Sequence, residues 1–223
     1  MIVISEESRV GSPYIEWVGQ GYTGADGLII RPAEYNWHLI FTRYEGILRI
    51  LVVGALEEAR PLNYVAGAES LWIRFKVGTY MPCLPAPATL NREINLPQGS
   101  ANTFWLKDKV WEVPSFENAD TFVEHLARAG VVIYEPLIEA ALRDELEDAS
   151  ERTIRYRFHH CTGLRQNYIR QIKRAQQAVE LLQHGNSILK TAHELGYADQ
   201  PHLTRSLKRL LGHTPRELLT SAK

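Results

Sequence analysis

The sequence predicts an α+β chain of two domains: a β-rich N-terminal domain, barrel- or sandwich-like, followed by an all-α domain. Three observations predict it. Turn-forming residues cut the first hundred positions into short apolar runs, the apolar period lengthens after Ser100, and charge divides unevenly along the chain. Residues 150–223 carry 13 Lys+Arg against 5 Asp+Glu, a balance of +8. Residues 1–149 carry 12 against 21, a balance of −9. The net charge of −1 hides that split, and the basic part suits a polyanion.

Composition bounds the rest. At 45% hydrophobic and 23% charged, the chain reads as an ordinary globular protein and not a disordered one. No apolar run approaches the roughly 20 residues of a membrane span. The best candidate, residues 47–56, is short and interrupted by Arg49, so no membrane partner is expected. Residues 1–10 include Glu6 and Glu7 and no basic start, unlike a signal peptide. Cys83 and Cys161 are too few for a disulfide framework or a four-cysteine zinc site. The chain is therefore expected to be reduced and cytoplasmic, with no cofactor.

The elements follow in order. Turn signals at 11–13, 21–27 and 45–46 bound strands expected at 14–18, 28–31, 37–43, 47–53 and 71–77. Pro82, Pro85 and Pro87 exclude a regular helix or central strand over 81–88, which reads as a loop. Asn118 is placed to cap a helix running through Phe122 and Leu126 to Gly130. The step between Gly130 and Pro136 divides a domain of residues 1–133 from one of residues 134–223.

The helical signal is clearest near the end. Ser187 to Leu195 reads as a short helix with Ile188, Leu189, Ala192 and Leu195 on one side, ended by Gly196. Asp199 then caps a second helix, with Pro201 in its first turn. Leu203, Leu207, Leu210 and Leu211 line one face of it; Gln200, Thr204, Arg205, Lys208 and Arg209 lie on the other. Two short helices joined by a glycine turn, the second basic and amide-bearing, form a helix-turn-helix. The bland alternative is a helical hairpin with a solvated basic face. Thr214-Pro215-Arg216-Glu217 is a capping box that opens one more helix.

A second copy of this logic lies upstream. Ser150 caps a helix with Ile154, Phe158 and Cys161 inward and Arg152, Arg155, Tyr156 and His159 outward, ended by Gly163. A preceding helix covers 137–146. Between the two units runs a helix of about 19 residues, roughly 28 Å long. That length suits two recognition helices about one DNA turn apart.

At these residues the sequence resembles the AraC/XylS regulators. Residues 150–163 look like that family's first recognition helix, and residues 188–215 like its second motif and closing signature. The resemblance implies a double helix-turn-helix, and a sequence-specific transcription regulator, activator or repressor. It implies base reading through Arg152, Arg155 and Tyr156 in the first unit and Gln200, Thr204 and Arg205 in the second. By chemistry the arginines suit guanine, Gln200 adenine, and the Thr204 methyl thymine. Arg170, Lys208 and Arg209 suit phosphates. The expected partners are double-stranded promoter or operator DNA, a small-molecule effector, RNA polymerase and a second copy of the chain. Two departures stand out: Pro201 replaces a residue that is often polar, and Glu147-Asp148-Ala149 replaces a tight glycine-containing turn.

The N-terminal domain carries less signal. His38 and His125 are its only histidines, so no metal site is expected. No nucleophile–base motif or phosphate loop appears, so no enzyme is expected. Arg49 shares a strand face with Ile47, Leu51 and Val53; Trp72 shares one with Arg74; Trp37 shares one with Leu39 and Phe41. Trp37, Arg49, Trp72 and Arg74 are therefore the candidate residues for a carboxylate or planar ligand. The alternatives are solvent-exposed faces or arginines paired with carboxylates. The rival to a sensing domain is one that only dimerises, which would make the protein a constitutive DNA-binding regulator.

Overall fold

The structure, a computed structural model, describes residues 2–8, 11–100, 102–145 and 150–221. The N-terminal region is β-rich. It holds β1 (Ile2–Ser8), β2 (Ile15–Thr23), β3 (Gly27–Arg31), β4 (His38–Tyr44), β5 (Ile47–Val53), β6 (Arg60–Tyr64), β7 (Glu69–Phe75) and β8 (Thr79–Tyr80). After these come α1 (Ala86–Thr89), β9 (Glu93–Leu96), β10 (Thr103–Leu106), β11 (Lys109–Glu112), α2 (Ala119–Arg128) and β12 (Ile133–Tyr134). The rest is helical: α3 (Pro136–Leu142), α4 (Glu151–Thr162), α5 (Gln166–Gln183), α6 (Ile188–Glu194), α7 (Gln200–Leu211) and α8 (Pro215–Ser221). The expected class, β-rich first and all-α last, is the class observed. The expected turn at 147–149, and the helix end expected at 146, lie outside the described residues.

Contacts group the chain into two compact units. The first holds residues 1–27, 36–55 and 63–165; the second holds 28–35, 56–62 and 166–223. The first helix-turn-helix segment thus packs with the β-structure, and two pieces of the N-terminal region pack with the last four helices.

The first unit is built on a six-stranded sheet of order β1-β2-β7-β4-β5-β9. Period-2 alternation sets its faces. In β5, Leu48, Ile50 and Val52 are buried while Ile47 and Arg49 are exposed. Antiparallel register sets Phe41 beside Ile50 on one side and Leu71 on the other. The amphipathic helix α2 covers this inner face with Phe122, Val123 and Leu126. Phe104 completes the core, its ring edge-on to Phe41 at 5.5 Å. In α4, Phe158, Cys161 and Thr162 are buried, and Gly163 lies against the backbone of Ala86.

Two local expectations are corrected. Residues 81–88 do not stay a loop throughout: one helical turn, α1, starts at Ala86. Pro87 falls in its first turn, where a missing N–H costs nothing. Asn118 is the N-cap residue of α2, yet its side chain accepts from the amide of Ser115 at 2.8 Å and not from the helix. That bond closes the turn before the helix instead.

The second unit has its own core of Ile172, Ala175, Ala178, Leu182, Leu203, Leu207 and Leu210. Ala33, fully buried, joins it from the N-terminal region. The strands β3 and β6 pair as a ribbon, and Glu34 bridges Leu56 beside it. The ribbon segment reaches α7 through two main-chain bonds, Ala33 N–H to Leu210 C=O at 2.6 Å and Ala59 N–H to Arg209 C=O at 2.9 Å.

Candidate nucleic-acid interface

Helix α7 is made by local chemistry. The Asp199 carboxylate accepts from the amide of His202 at 2.6 Å, satisfying one of the first-turn donors. Gly212 at φ 80° ends the helix in the left-handed region. Leu203, Leu207, Leu210 and Leu211 are buried, which turns the opposite face outward. Gln200, Arg205, Lys208 and Arg209 are exposed there. Thr204 is half-buried, and its hydroxyl donates to the Gln200 carbonyl at 2.9 Å. The preceding helix α6 is capped by Ser187, which accepts from the Lys190 amide at 3.2 Å. Gly196 at φ 69° makes the turn between the two. The capping box is formed: Thr214 N–H meets Glu217 Oε2 at 2.7 Å, and Glu217 N–H meets Thr214 Oγ1 at 3.3 Å. That backbone bond holds the Glu217 carboxyl below its ordinary range.

The candidate phosphate residues differ in freedom. Arg170 is exposed on α5. Lys208 lies 3.5 Å from Glu217, both about half exposed, a weakly held pair. Arg209 is tied down: its guanidinium lies 5.5 Å over the Tyr168 ring, 3.4 Å from Gln171 Oε1 and 4.0 Å from Glu58 Oε1. The Tyr168 hydroxyl donates in turn to the Glu57 carbonyl. Sequence reasoning missed Glu57, Glu58, Ala33 and Ala59 here, because they lie far upstream in a segment that reads as β-structure.

In the first unit, the Ser150 hydroxyl accepts from the Thr153 amide at 3.2 Å and so starts α4. Arg152, Arg155 and His159 are exposed, and Tyr156 is 66% exposed. The Tyr156 ring stacks on His160 at 5.9 Å, which orients it. Arg157 instead pairs with Glu135 at 2.7 Å. The helix ends at Gly163, φ 72°.

The four candidate ligand residues are not brought together in a cavity. Trp37 stacks on Phe75 at 3.7 Å between centroids, and its Nε1–H donates to the Thr79 carbonyl at 2.6 Å. It is a packing residue of the core edge. Arg49 points to solvent from β5. Trp72 and Arg74 share the outer, half-buried face of β7. Arg74 Nε lies 2.9 Å from Glu16 Oε2, and its Nη2 donates to Asn36 Oδ1 at 3.1 Å. A groove of about 540 Å³ opens elsewhere on the same unit, with Phe41, Leu48 and Leu71 in its lining and Arg43, Glu69 and Asn102 among its polar groups. Among the described residues no group of three His, Cys, Asp or Glu is placed to hold a metal ion, and no helix is long and apolar enough to cross a membrane.

Two short helices around a glycine turn, with one face of the second buried and the other basic, define a helix-turn-helix DNA-binding domain. Residues 146–221 match the family model described as a helix-turn-helix domain. That stretch, the C-terminal third of the chain, is a helix-turn-helix domain. Among solved structures the chain is similar to ToxT from Vibrio cholerae. One such structure, at 1.65 Å resolution, is 10% identical with a TM-score of 0.41, covering 99% of this chain and 97% of that one. A second is 9% identical at 0.43, covering 100% and 98%. A third, with (E)-4-(8-methylnaphthalen-1-yl)but-3-enoic acid bound, is 8% identical at 0.45, covering 100% and 99%. No curated protein matches this chain.

Proposed function

We propose that the protein regulates transcription by reading promoter DNA through the outward faces of α4 and α7, under the control of a small molecule bound by its N-terminal β-structure. The observation that carries this reading is α7 itself. Its leucine face is committed to the core, so Gln200 and Arg205 stand on the exposed face, with Thr204 half-buried beside them. Arg205 presents a bidentate fork suited to guanine, and Gln200 the amide suited to adenine. Arg152, Arg155 and Tyr156 offer a matching surface on α4. Arg170, Lys208 and Arg209 neutralise phosphates and set register.

The groove supports the sensing part of the reading. Its volume falls in the range of small-molecule sites, and Phe41, Leu48 and Leu71 line it beside polar groups that include Arg43, Glu69 and Asn102. A ligand acts on DNA binding only if it binds the DNA-competent and incompetent states differently. The protein works in the cytoplasm, where promoter DNA is.

Selection of duplexes from a randomised pool by the full-length chain tests the DNA reading. An enriched motif is the expected result; bound DNA without sequence preference contradicts it. A thermal-shift screen of the full chain against metabolites tests the sensing reading. A stabilising ligand whose effect vanishes in Leu71→Trp, which fills the groove, is expected. A ligand indifferent to that substitution places sensing elsewhere.

A further inference from the structure

We propose that Arg174 of α5 grips a DNA phosphate, held in position for that contact by the ring of Tyr197. The inference rests on the reading of α7 as a DNA-recognition helix, and it adds a residue that the sequence did not single out.

The guanidinium of Arg174 lies 4.3 Å over the ring of Tyr197. Tyr197 belongs to the turn between α6 and α7, two residues before the Asp199 cap. It is only 5% exposed and is a member of the second core, so the platform under the guanidinium is rigid. His202, in the first turn of α7, packs edge-on against the same ring at 5.2 Å. Arg174 is therefore fixed on a ring that also packs against His202, in the first turn of the recognition helix.

What the guanidinium lacks is an acceptor. No carboxylate lies within ion-pair distance of Arg174 among the described residues, and its Nε–H is buried without a hydrogen-bond partner. A half-buried arginine normally spends its donors on a carboxylate or carbonyls, because leaving them unmet is costly. Cation–π stacking orients the planar fork without consuming its N–H donors. A fork with a fixed plane, unspent terminal donors and no carboxylate matches a phosphate's paired oxygens. Arg170 lies four residues earlier, on the same side of α5, and is exposed. Two arginines one turn apart suit successive contacts along one DNA strand.

The rival role is purely structural: Arg174 braces Tyr197 and touches no DNA. Salt dependence separates the two. Binding of the full-length chain to a labelled duplex is followed by anisotropy between about 50 and 200 mM salt. Each phosphate contact contributes about 0.9 to the exponent of affinity on salt. Arg174→Met, which keeps the stem on Tyr197, is expected to lower the exponent by about 0.9. Arg174→Lys is expected to keep the wild-type exponent with weaker binding, since the ammonium keeps the charge but loses the fork. A wild-type exponent in Arg174→Met overturns the proposal and leaves the DNA reading standing. Absence of salt-dependent binding by the wild-type chain overturns both. Should Arg174→Met fail to fold, phenylglyoxal labelling of the wild-type chain decides: duplex is expected to protect Arg174, and equal labelling with and without duplex overturns the contact.

Discussion

The amide of Ala59 donates to the carbonyl of Arg209 at 2.9 Å, so a residue of the N-terminal region closes the last turn of α7. Ala33 does the same for Leu210. The final carbonyls of a helix have no partner within it. Here a distant main chain supplies two. Ala59→Pro deletes one donor and leaves the carbonyl of Arg209 unmet. The expected cost is about 1–3 kcal/mol, read as a lower urea midpoint for the loss of helical signal in the full-length chain. An unchanged midpoint contradicts the contact.

Gly212 and Gly185 separate backbone strain from packing. Both sit at positive φ, 80° and 87°. A side chain added at Gly185 meets open space, whereas one added at Gly212 runs into the Ile30 methyl. Alanine costs about 1 kcal/mol or more at either position for the left-handed backbone. Gly212→Ala is expected to cost about 1–3 kcal/mol beyond Gly185→Ala, from overpacking. Equal thermal shifts for the two variants contradict the seat of the ribbon on α7.

These contacts mark where sequence reading stopped. The caps Ser150 and Asp199, the turn glycines Gly163 and Gly196, and the leucine face of α7 were legible because each rests on chemistry within a few residues. The strand Ile47–Val53 was legible from its apolar run. The short strands β6 and β8 to β12 carry too few residues to show a period. Ala33 and Ala59 act through backbone N–H groups, which leave no mark in residue type. Arg49 is exposed, the alternative weighed beside a ligand role for its strand face, while Leu48, Ile50 and Val52 on the other face are buried. Arg174 escaped notice because its meaning depends on the ring of Tyr197, beyond the span of one helix.

The two thiols are expected to differ. Cys83 is exposed and Cys161 is buried. Burial is the main cause pushing the Cys161 thiol up to about 12, with the Glu135 carboxylate adding to it. In the folded chain Cys161 therefore keeps its proton where an unfolded thiol, near 9, has lost it. Its contribution to stability is full below that unfolded value and is lost as pH rises toward 12. A thiol-reactive dye near neutral pH is expected to titrate one cysteine in the native protein and two after denaturation. Two fast-reacting native thiols contradict the packing of α4.

Lys208 and Arg209 are adjacent but held differently. Lys208 has one weak partner, Glu217, while Arg209 is engaged by Tyr168, Gln171 and Glu58. Lys208→Ala is expected to lower the salt exponent of duplex binding by about 0.9, as one lost phosphate contact. Arg209→Ala is expected to change the exponent less and to lower the melting temperature more. The reverse order contradicts the view that Arg209 is spent partly within its own unit.

The central claim is that α7 reads bases. Selection from a randomised duplex pool by the full-length chain, run beside its Arg205→Ala variant, tests it most directly. The expected result is a motif for the wild-type chain and the same motif with one position relaxed for the variant, at a cost of about 1–3 kcal/mol there. An identical motif from both proteins, or equal loss on all sequences, would contradict base reading by Arg205.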